Sequence, residues 1–484
     1  MNRIHAKGKT FTDELGRERV FSGVNIVDKS PYTTGVQSVP DVTEDTIAQL
    51  HARGFNLIRL GFTWGKLEPQ PGVYNDGYLD AVGTVLDWCE KYDVYAFLDM
   101  HQDLYSPVTN GDGAPPWAAL TDGRKATPTR FVWAEDYFWG RACHRCFDHF
   151  WNNTPVQGKG LQDRFADLWK HVIEKLGDKP AVIGFDLLNE PFPGTDGGRV
   201  FRRLVRTAVR TGLTDKAVDR GQIVRDLFSE ARGEKLFGHL TSDLLRKVTH
   251  SADTLIENFD RVQYTRFLMR MAEAVRTVNG DKLIFMENSY YSNLGIPFSA
   301  PPIYTDGERD PQQVFAPHAY DLMVDTPAYK YASNDRVGSI FAEHRRSQER
   351  LNMPVVVGEW GGFGGDDAGW LPHIDFLLRL FDENKWSNTY WCYKKDFFAS
   401  PLMQVFVRAF PRAVDGTLKS YTYDSSAKVF RMELLQTGTL PAEIAAPFAV
   451  QSVLLDGEAA EFIQRDAVLF VQIPAGNHTL EVRF

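Results

Sequence analysis

Two glutamates in this sequence each follow an apolar run, at a place where a buried strand would end. Glu190 follows VIGFDLLN and Glu359 follows PVVVG. Two opposed carboxylates are what the hydrolysis of a glycosidic bond requires, one protonated as an acid and one ionised as a nucleophile or base. A retaining mechanism would place the two carboxyl groups about 5–5.5 Å apart. The alternative is that both glutamates are buried acids held in salt bridges.

The elements that would position these glutamates alternate along the chain up to about residue 395. Short apolar runs are followed by longer amphipathic stretches, and such runs are typical of strands buried on both faces of a parallel sheet. This α/β pattern predicts a (β/α)₈ TIM barrel. The predicted strands are residues 20–27, 55–62, 94–101, 182–190, 282–288, 314–320, 354–360 and 389–395, and the predicted helices are residues 45–53, 79–91, 161–176, 259–279, 340–351 and 373–384.

Polar side chains with catalytic potential fall at the C-terminal ends of these predicted strands. Arg59 lies in IRLGF, His101 in DMHQD and His318 in PHAY, at the same end as Glu190 and Glu359. Active sites of such barrels are built at this end. The two glutamates, on strands 4 and 7, would then face each other across the barrel mouth. The alternatives are that the histidines are satisfied core residues and that Arg59 only neutralises buried acids.

The sequence NEP at residues 189–191, with a second glutamate at the end of strand 7, resembles the retaining β-glycosidases that have (β/α)₈ barrels, and glycoside hydrolase family 5 within them. The resemblance implies that Glu190 is the acid/base and Glu359 the nucleophile. It also implies an arginine that supports the nucleophile, an asparagine that meets the sugar 2-hydroxyl, a histidine and a tyrosine on strand 6, and a tryptophan under the sugar. These are Arg59, Asn189, His318, Tyr320 and Trp391.

A narrower resemblance, to the endoglycoceramidase group of that family, covers essentially the whole chain. It rests on GVNIVDKSP, RLGFTW, DMHQD, GDGAPPW and PRAVDG, at residues 23–31, 59–64, 99–103, 111–117 and 411–416. Asp28 and residues 32–34 depart from the group's pattern beside the predicted sugar entrance. These departures leave the choice between glucose and galactose open, and with it the endogalactosylceramidase branch.

The same resemblance implies roles for the residues around the two glutamates. Tyr320 would donate a hydrogen bond to the nucleophile, and the charge of Arg59 would keep that nucleophile ionised. Aromatic rings would cover the apolar face of the sugar. The implied ligands of sugar hydroxyls are Lys29, His101, Asp103 and Asn189, and the implied aromatic platforms are Trp391 and Trp139. For Lys29 and Asp103 the alternative is a salt bridge within the loops.

The sequence predicts two domains. The barrel is assigned to residues 1–397 and an antiparallel β-sandwich to residues 398–484, where helical periodicity gives way to β-rich runs and turn signals. A helical insertion interrupts the barrel at about residues 195–258. Between residues 199 and 247 it carries 12 basic and 6 acidic side chains. It is either a solvated helical insertion or a lid or surface that meets an amphiphilic or anionic partner.

A ceramide-binding enzyme needs apolar surface as well as a sugar site. The insertion and the apolar loop at residues 289–303 are the candidates. The aromatic and aliphatic side chains of that loop either meet lipid or pack under the barrel rim. In that loop they are Tyr290, Tyr291, Leu294, Ile296 and Phe298.

Composition and charge exclude several classes of protein. The formal net charge of −9 argues against a nucleic-acid binder, and no apolar run is long enough to predict a membrane-spanning helix. The N-terminal residues lack a signal-like apolar stretch, so the sequence predicts a cytoplasmic protein, or a secreted one whose signal has been removed. Cys143 and Cys146 form a CxxC motif without the further ligands of a zinc site, which leaves a local disulfide or two thiols.

The expected activity is therefore that of a retaining endo-β-glycosidase that separates a glycan from the ceramide of a glycosphingolipid, without metal or cofactor. The expected partners are the glycosphingolipid itself and, transiently, a membrane or micelle surface. One alternative is a β-glucosidase or endoglucanase of the same family that acts on soluble glycans. Another is a glycolipid-binding protein without turnover. The sequence does not indicate an oligomeric state.

Overall fold

The computed structural model describes residues 1–30, 39, 41–130, 132–215, 218–229, 235, 238–324, 326, 329–363 and 368–484. Within these residues an eight-stranded parallel barrel forms, in which neighbours in the chain are neighbours in the sheet and strand 8 pairs with strand 1. Strands 6 and 7 close the circle through a bridge between Phe315 and Val355. The predicted (β/α)₈ fold is confirmed. Barrel strands 1 to 8 are Ser22–Val27, Leu57–Thr63, Tyr95–His101, Val182–Asp186, Leu283–Glu287, Gln313–Ala316, Val356–Val357 and Ser387–Tyr390.

Helices follow the barrel strands much as the amphipathic periodicity predicts. Leu161–Leu176 has the predicted bounds. The helix predicted over residues 340–351 begins earlier, at Asn334, because the Ser333 side chain caps its first turn by accepting from Arg336 N. The α-helices of the barrel are Glu44–Ala52, Trp64–Leu67, Asp76–Lys91, Glu135–Trp139, Arg141–Trp151, Leu161–Leu176, Thr265–Val278, Asn334–Leu351, Leu371–Asn384 and Met403–Phe406.

The predicted insertion after strand 4 is helical. Its first helix, Thr195–Thr214, is called the insertion helix below. Further helices among the described residues of the insertion are Arg220–Leu227, Ser242–Thr249 and Asp253–Phe259. A π-helical turn at Asp260–Tyr264 joins the last of them to Thr265–Val278. In the described part of the chain, no helix combines the length and the apolar character needed to cross a bilayer.

The barrel interior changes from apolar at the bottom to polar at the top. On strand 3, Phe97, Asp99 and His101 are two residues apart, so they share one face. Phe97 stacks on Phe285 near the bottom, with ring centroids 4.3 Å apart. Asp99 and His101 lie higher, in the polar layer described below.

Two antiparallel sheets form the predicted C-terminal β-domain. The five-stranded sheet has the order Gly416–Asp424, Val429–Gln436, Gly476–Arg483, Ser452–Leu455 and Glu458–Ala459. The seven-stranded sheet has the order Ile4–Lys7, Thr10–Asp13, Glu18–Arg19, Pro411–Val414, Ala442–Ala445, Val468–Val471 and Phe462–Arg465.

The N-terminal strands correct the predicted domain assignment, which gave residues 1–397 to the barrel. The strand Glu18–Arg19 pairs with Pro411–Val414, so the first strands of the chain belong to the C-terminal sheet. Ile4 and Phe11 also pack into the apolar layer that closes the barrel bottom. These strands are two to four residues long, too short to show a period in the sequence.

Candidate active site

Arg59 lies fully buried in the barrel interior, and its guanidinium touches a carboxylate from each of four other strands. The N–O distances are 2.8 Å to Glu359, 2.8 Å to Asp186, 2.7 Å to Glu287 and 2.9 Å to Asp99. Burial raises the pKa of Asp186 to about 6 and that of Glu287 well above its ordinary value, so these two acids can carry protons. The guanidinium of Arg59 offsets part of the negative charge that remains on this group, as the predicted acid-neutralising alternative also required.

Glu190 comes after barrel strand 4, which ends at Asp186 and not at Glu190 as predicted. Its φ is +45°, a left-handed conformation that non-glycine residues adopt mainly where the surroundings enforce it. Its backbone N–H donates to Glu287 Oε2 at 2.6 Å, and Asn293 Nδ2 donates to its Oε1 at 2.6 Å. Burial, helped by the charge of Asp103, raises the pKa of Glu190 to about 7. A carboxyl group with this pKa can act as a general acid near neutral pH.

Glu359 is held through both carboxylate oxygens. Arg59 Nη1 donates to Oε1 at 2.8 Å, and the Tyr320 hydroxyl donates to Oε2 at 2.8 Å. A cation and a hydroxyl donate to the two oxygens and fix the direction in which the carboxylate points. The arrangement suits a nucleophile that must be charged.

His318 lies between the two glutamates. Its Nδ1 is 3.3 Å from Glu190 Oε1 and 3.7 Å from Glu359 Oε2. Burial lowers the pKa of His318 to about 3, so the ring is neutral. Gly358 makes room for the ring, because a Cβ at that position would lie 2.7 Å from His318 Nε2. The histidine therefore fills the space between the carboxylates without adding a charge.

The separation of the two glutamates bears on the stereochemistry of the reaction. One carboxylate oxygen of Glu190 lies within 4.8 Å of one of Glu359. Retaining glycosidases place their carboxyl groups about 5–5.5 Å apart, whereas inverting enzymes leave about 6.5–9.5 Å for a water molecule. The observed spacing fits direct attack by one glutamate while the other donates a proton.

A second group of predicted residues lines the site next to the glutamates. His101 Nδ1 donates to Asp99 Oδ2 at 2.8 Å, and its ring stacks on Trp391 with ring centroids 5.3 Å apart. Burial and the charge of Lys29 act to lower the pKa of His101, but Asp99 and Asp103 outweigh them and raise it to about 9. Lys29 forms an ion pair with Asp103, the predicted loop salt bridge, and its Nζ lies 4.5 Å from the centre of the Trp391 ring.

Asn189 is held by its neighbours in a single orientation. Its Oδ1 accepts from Arg59 Nη2 at 3.0 Å, and its Nδ2 donates to Gln102 O at 2.9 Å. Gln102 returns a bond from Nε2 to Asn189 O at 2.8 Å. The amide is thus fixed beside Glu190, where its predicted role toward the sugar 2-hydroxyl remains a prediction.

Trp139 lies apart from this constellation. It ends the helix Glu135–Trp139, and 44% of its surface is exposed. Its ring contacts Phe138 at 5.8 Å and Phe201 of the insertion helix at 5.7 Å. Among the described residues it makes no ring contact with the residues around Glu190 and Glu359. The structure therefore gives no support to its predicted role as a sugar platform.

The structure also decides between the alternatives left open for the apolar loop at residues 289–303 and for Cys143 and Cys146. In the loop at residues 289–303, Tyr291, Ile296 and Phe298 are buried, so these side chains pack under the barrel rim and do not offer a surface to lipid. Cys143 and Cys146 are free, buried thiols on the helix Arg141–Trp151.

Asp28 and residues 32–34 are the two places where the sequence departs from the endoglycoceramidase pattern. Asp28 is buried and forms an ion pair with Lys66. It also accepts a hydrogen bond from the Tyr78 hydroxyl at 2.9 Å. Residues 32–34, by contrast, lie outside the described part of the chain.

Sequence reasoning missed two residues that hold the acid glutamate. Glu287 ends barrel strand 5. A glutamate at the end of a predicted strand is the signal that identified Glu190 and Glu359, so the same signal could have identified Glu287. Asn293 lies in the loop that the sequence marked only as apolar, and no local pattern there points to Glu190. Its role depends on how that loop folds back over the barrel mouth.

Comparison with known families fits this geometry. The family model described as Cellulase (glycosyl hydrolase family 5) matches residues 21–220 and 249–397. The chain belongs to this family. The family 5 match spans the barrel and both glutamates, as the resemblance in the sequence predicted.

Individual relatives narrow the comparison. An endoglycoceramidase of Hydra vulgaris is 33% identical over 40% of this chain and 41% of its own length. Endoglycoceramidase I of Rhodococcus hoagii (strain 103S) is 26% identical over 91% of this chain and 79% of its own. A solved structure of endo-glycoceramidase II from Rhodococcus sp., in an iminocyclitol complex, superposes with a TM-score of 0.75 over 99% of both chains, at 24% identity. The chain thus spans about two-fifths of the first of these relatives and most of the second.

The hydrogen bond from Tyr320 to Glu359 can be tested by substitution. Replacing Tyr320 by Phe removes one donor to Glu359 Oε2. Hydrogen bonds to charged groups contribute about 1.5–3 kcal/mol, so we expect kcat to fall about 10- to 100-fold while the thermal melting temperature changes little. Tyr105→Phe is the matched control, because the Tyr105 hydroxyl donates to the Ala118 carbonyl and not to a glutamate. Equal kcat values for the two variants would contradict the role of Tyr320.

The raised pKa of Glu190 predicts the alkaline limb of the pH profile. A general acid at this position must be protonated in the free enzyme, and the pKa of about 7 for Glu190 predicts that kcat/KM falls as the pH rises through that value. In Glu190→Gln, assayed for residual activity on the same glycolipid as the wild type, this limb should disappear. A limb near pH 7 that persists unchanged in Glu190→Gln would show that another group titrates there.

Proposed function

We propose that this family 5 glycosidase is a retaining endo-β-glycosidase that hydrolyses the bond between the glycan and the ceramide of glycosphingolipids. The observation that carries the proposal is the pair Glu190 and Glu359, whose oxygens lie within 4.8 Å of each other in different electrostatic surroundings. One is buried with a raised pKa, and the other is held by a cation and a hydroxyl. Such a pair performs double displacement at an anomeric carbon.

In the first step Glu359 attacks the anomeric carbon while Glu190 gives its proton to the leaving ceramide oxygen. The bond from carbon to Glu359 forms as the bond to ceramide breaks, which yields a glycosyl-enzyme and free ceramide. In the second step Glu190, now ionised, removes a proton from water. The resulting attack releases the sugar with its original anomeric configuration and restores Glu359.

In this scheme the sugar lies between the two glutamates and the charged side chains of Lys29, His101 and Asp103, which lie beside Trp391. The partly exposed ring of Trp391 suits the apolar side of a pyranose ring. Lys29, His101 and Asp103 then present two cations and one anion to the ring hydroxyls. We assign hydroxyl recognition to these residues and to Asn189, which leaves glucose and galactose both acceptable.

The names of the relatives support a ceramide aglycone, since both reported relatives and the solved structure are endoglycoceramidases. The description of the family model, Cellulase, favours soluble β-glucans as the second candidate. The two candidate functions share the catalytic pair and differ in the leaving group, which is ceramide in one and a sugar in the other.

Product analysis by mass spectrometry separates these readings. The protein would be incubated with detergent-dispersed galactosylceramide, glucosylceramide, lactosylceramide and a ganglioside, with cellooligosaccharides in parallel. We expect free ceramide together with an intact glycan, and the preferred lipid would identify the sugar. Cleavage of cellooligosaccharides alone would assign the chain to soluble glycans. A complete lack of products from every substrate would favour a protein that binds glycolipid without turnover.

A further inference from the structure

The insertion helix Thr195–Thr214 has one face fixed against the barrel. Val200 and Leu204 are buried, and the Tyr291 hydroxyl donates to Gly197 O at 2.9 Å. Gly197 permits this close packing, because a Cβ there would lie 2.1 Å from the Phe192 ring. The contacts of the first three turns therefore set which face of the helix points outward.

That outward face carries an apolar stripe. Val205, Val209 and Leu213 are four residues apart, so they lie one above another, and they are 45%, 59% and 64% exposed. Phe201 continues the stripe toward the start of the helix, where it contacts the exposed ring of Trp139. Single exposed apolar side chains are ordinary, but a continuous exposed run marks a surface that meets something apolar.

A basic stripe runs beside the apolar one. Arg202, Arg206 and Arg210 are all exposed and each precedes an apolar member by three residues, which places it about 60° around the helix. Arg199 forms an ion pair with Asp196 at 2.6 Å. The other three arginines form none with the residues that the structure describes. The protein as a whole has a net charge of −9, so this cationic face runs against its overall charge.

We propose that this face of the insertion helix docks onto an anionic lipid bilayer. The stripe of Val205, Val209 and Leu213 enters the interfacial region, and the three arginines reach the phosphate groups beside it. Trp139 extends the inserted edge, since tryptophan favours the boundary between the headgroups and the acyl chains. The charge complementarity and the parallel stripes favour a lipid surface over an acidic protein. An acidic protein would leave the aliphatic stripe exposed unless it also had an apolar groove to receive that stripe.

Docking of this kind would bring the catalytic mouth to the membrane. The insertion helix begins at Thr195, five residues after Glu190, so a bilayer held against it lies on the rim from which Glu190 projects. This use of the surface rests on the proposed function, because it places the acid next to membrane-borne ceramide. The binding itself does not rest on it.

Vesicle flotation tests the proposal without any glycolipid. Wild-type protein is mixed with vesicles of phosphatidylcholine alone, or with roughly one-third phosphatidylglycerol, at low salt and at about 0.15 M salt. We expect binding to the anionic vesicles, little binding to the neutral ones, and weaker binding as salt rises. The charge variant replaces Arg202, Arg206 and Arg210 with Gln. The apolar variant is Val209→Asp with Leu213→Asp, and each variant should lose more than ten-fold in affinity.

Matched controls lie on the C-terminal domain. Phe462 and Ile463 are exposed on the strand Phe462–Arg465, so Phe462→Asp with Ile463→Asp removes two apolar surface residues elsewhere. Replacing the exposed Lys419, Lys428 and Arg465 with Gln removes the same charge. Both controls should bind within about two-fold of wild type, and thermal melting should show that every variant is folded.

Equal binding of wild type to neutral and anionic vesicles would overturn the proposal, as would unchanged binding of folded insertion-helix variants. Failure of wild type to float with either vesicle would also overturn it, and an acidic protein partner would then become the reading to test. Because the vesicles contain no substrate, these results are separate from those of the product analysis. Docking without ceramide release would reject the proposed function alone.

Discussion

Replacement of Glu359 by Gln is expected to abolish hydrolysis while leaving glycolipid binding intact. The amide has nearly the same shape and still meets Tyr320 and Arg59, but it cannot attack the anomeric carbon. Removing a nucleophile that acts as part of a catalytic unit typically costs 10⁴-fold or more in kcat, and we expect a loss of at least about that size. Turnover of lactosylceramide and equilibrium binding to the same lipid in micelles measure the two effects separately.

The control for Glu359→Gln is Glu68→Gln, a second buried glutamate that lies outside the site. Glu68 accepts from Trp64 Nε1 at 2.7 Å and from Gly72 N at 2.6 Å, so its loss affects local packing only. It should retain wild-type turnover within a few-fold. A smaller variant, Glu359→Ala, opens space for azide, which should attack an activated aryl glycoside once and give the α-glycosyl azide. Unchanged turnover by Glu359→Gln, or a β-azide from Glu359→Ala, would contradict its assignment as nucleophile.

Replacement of Glu190 by Ala is expected to have an effect that depends on the leaving group. Ceramide leaves as an alkoxide and needs a proton, so kcat/KM for lactosylceramide should fall about 10²- to 10⁴-fold, the usual contribution of a general acid. A dinitrophenyl glycoside leaves without a proton, and kcat/KM for it should remain close to that of wild type. Parallel kinetics with the two substrates measure the difference.

Azide distinguishes the role of Glu190 from that of Glu359. In Glu190→Ala the glycosyl-enzyme still forms on Glu359 and waits for a base, so azide should accelerate turnover of the aryl glycoside and give the β-glycosyl azide. Asn293→Ala serves as a milder variant, because Asn293 Nδ2 donates to Glu190 Oε1. This variant should shift the alkaline limb of the kcat/KM pH profile without removing it. A loss of activity that is equal for both leaving groups would contradict acid catalysis by Glu190.

The parts of the site that could be predicted from the sequence are those fixed by the ends of strands. In a parallel barrel every strand delivers its C-terminal residues to the same rim, so finding Glu190 and Glu359 after apolar runs was enough to place them together. Arg59 follows the same logic, since it lies on the inner face of strand 2. The catalytic pair therefore needed no knowledge of loop conformation.

The parts that could not be predicted depend on contacts between distant segments. Asn293 reaches Glu190 only because its loop is anchored elsewhere, where Asp260 accepts from Ser299 N at 2.8 Å. The strand Glu18–Arg19 owes its existence to Pro411–Val414, almost 400 residues away in the chain. Trp139 carried a role implied by resemblance alone, and the structure places it against Phe201. Local composition contains none of this information.

The central claim is that the two glutamates release an intact glycan from ceramide with retention of configuration. Proton NMR of the first product from lactosylceramide, recorded in deuterated micelles before mutarotation, tests both parts at once. We expect intact lactose that appears first as the β-anomer. The α-anomer as the first product would contradict the double displacement through Glu359, and free galactose ahead of lactose would contradict cleavage at ceramide.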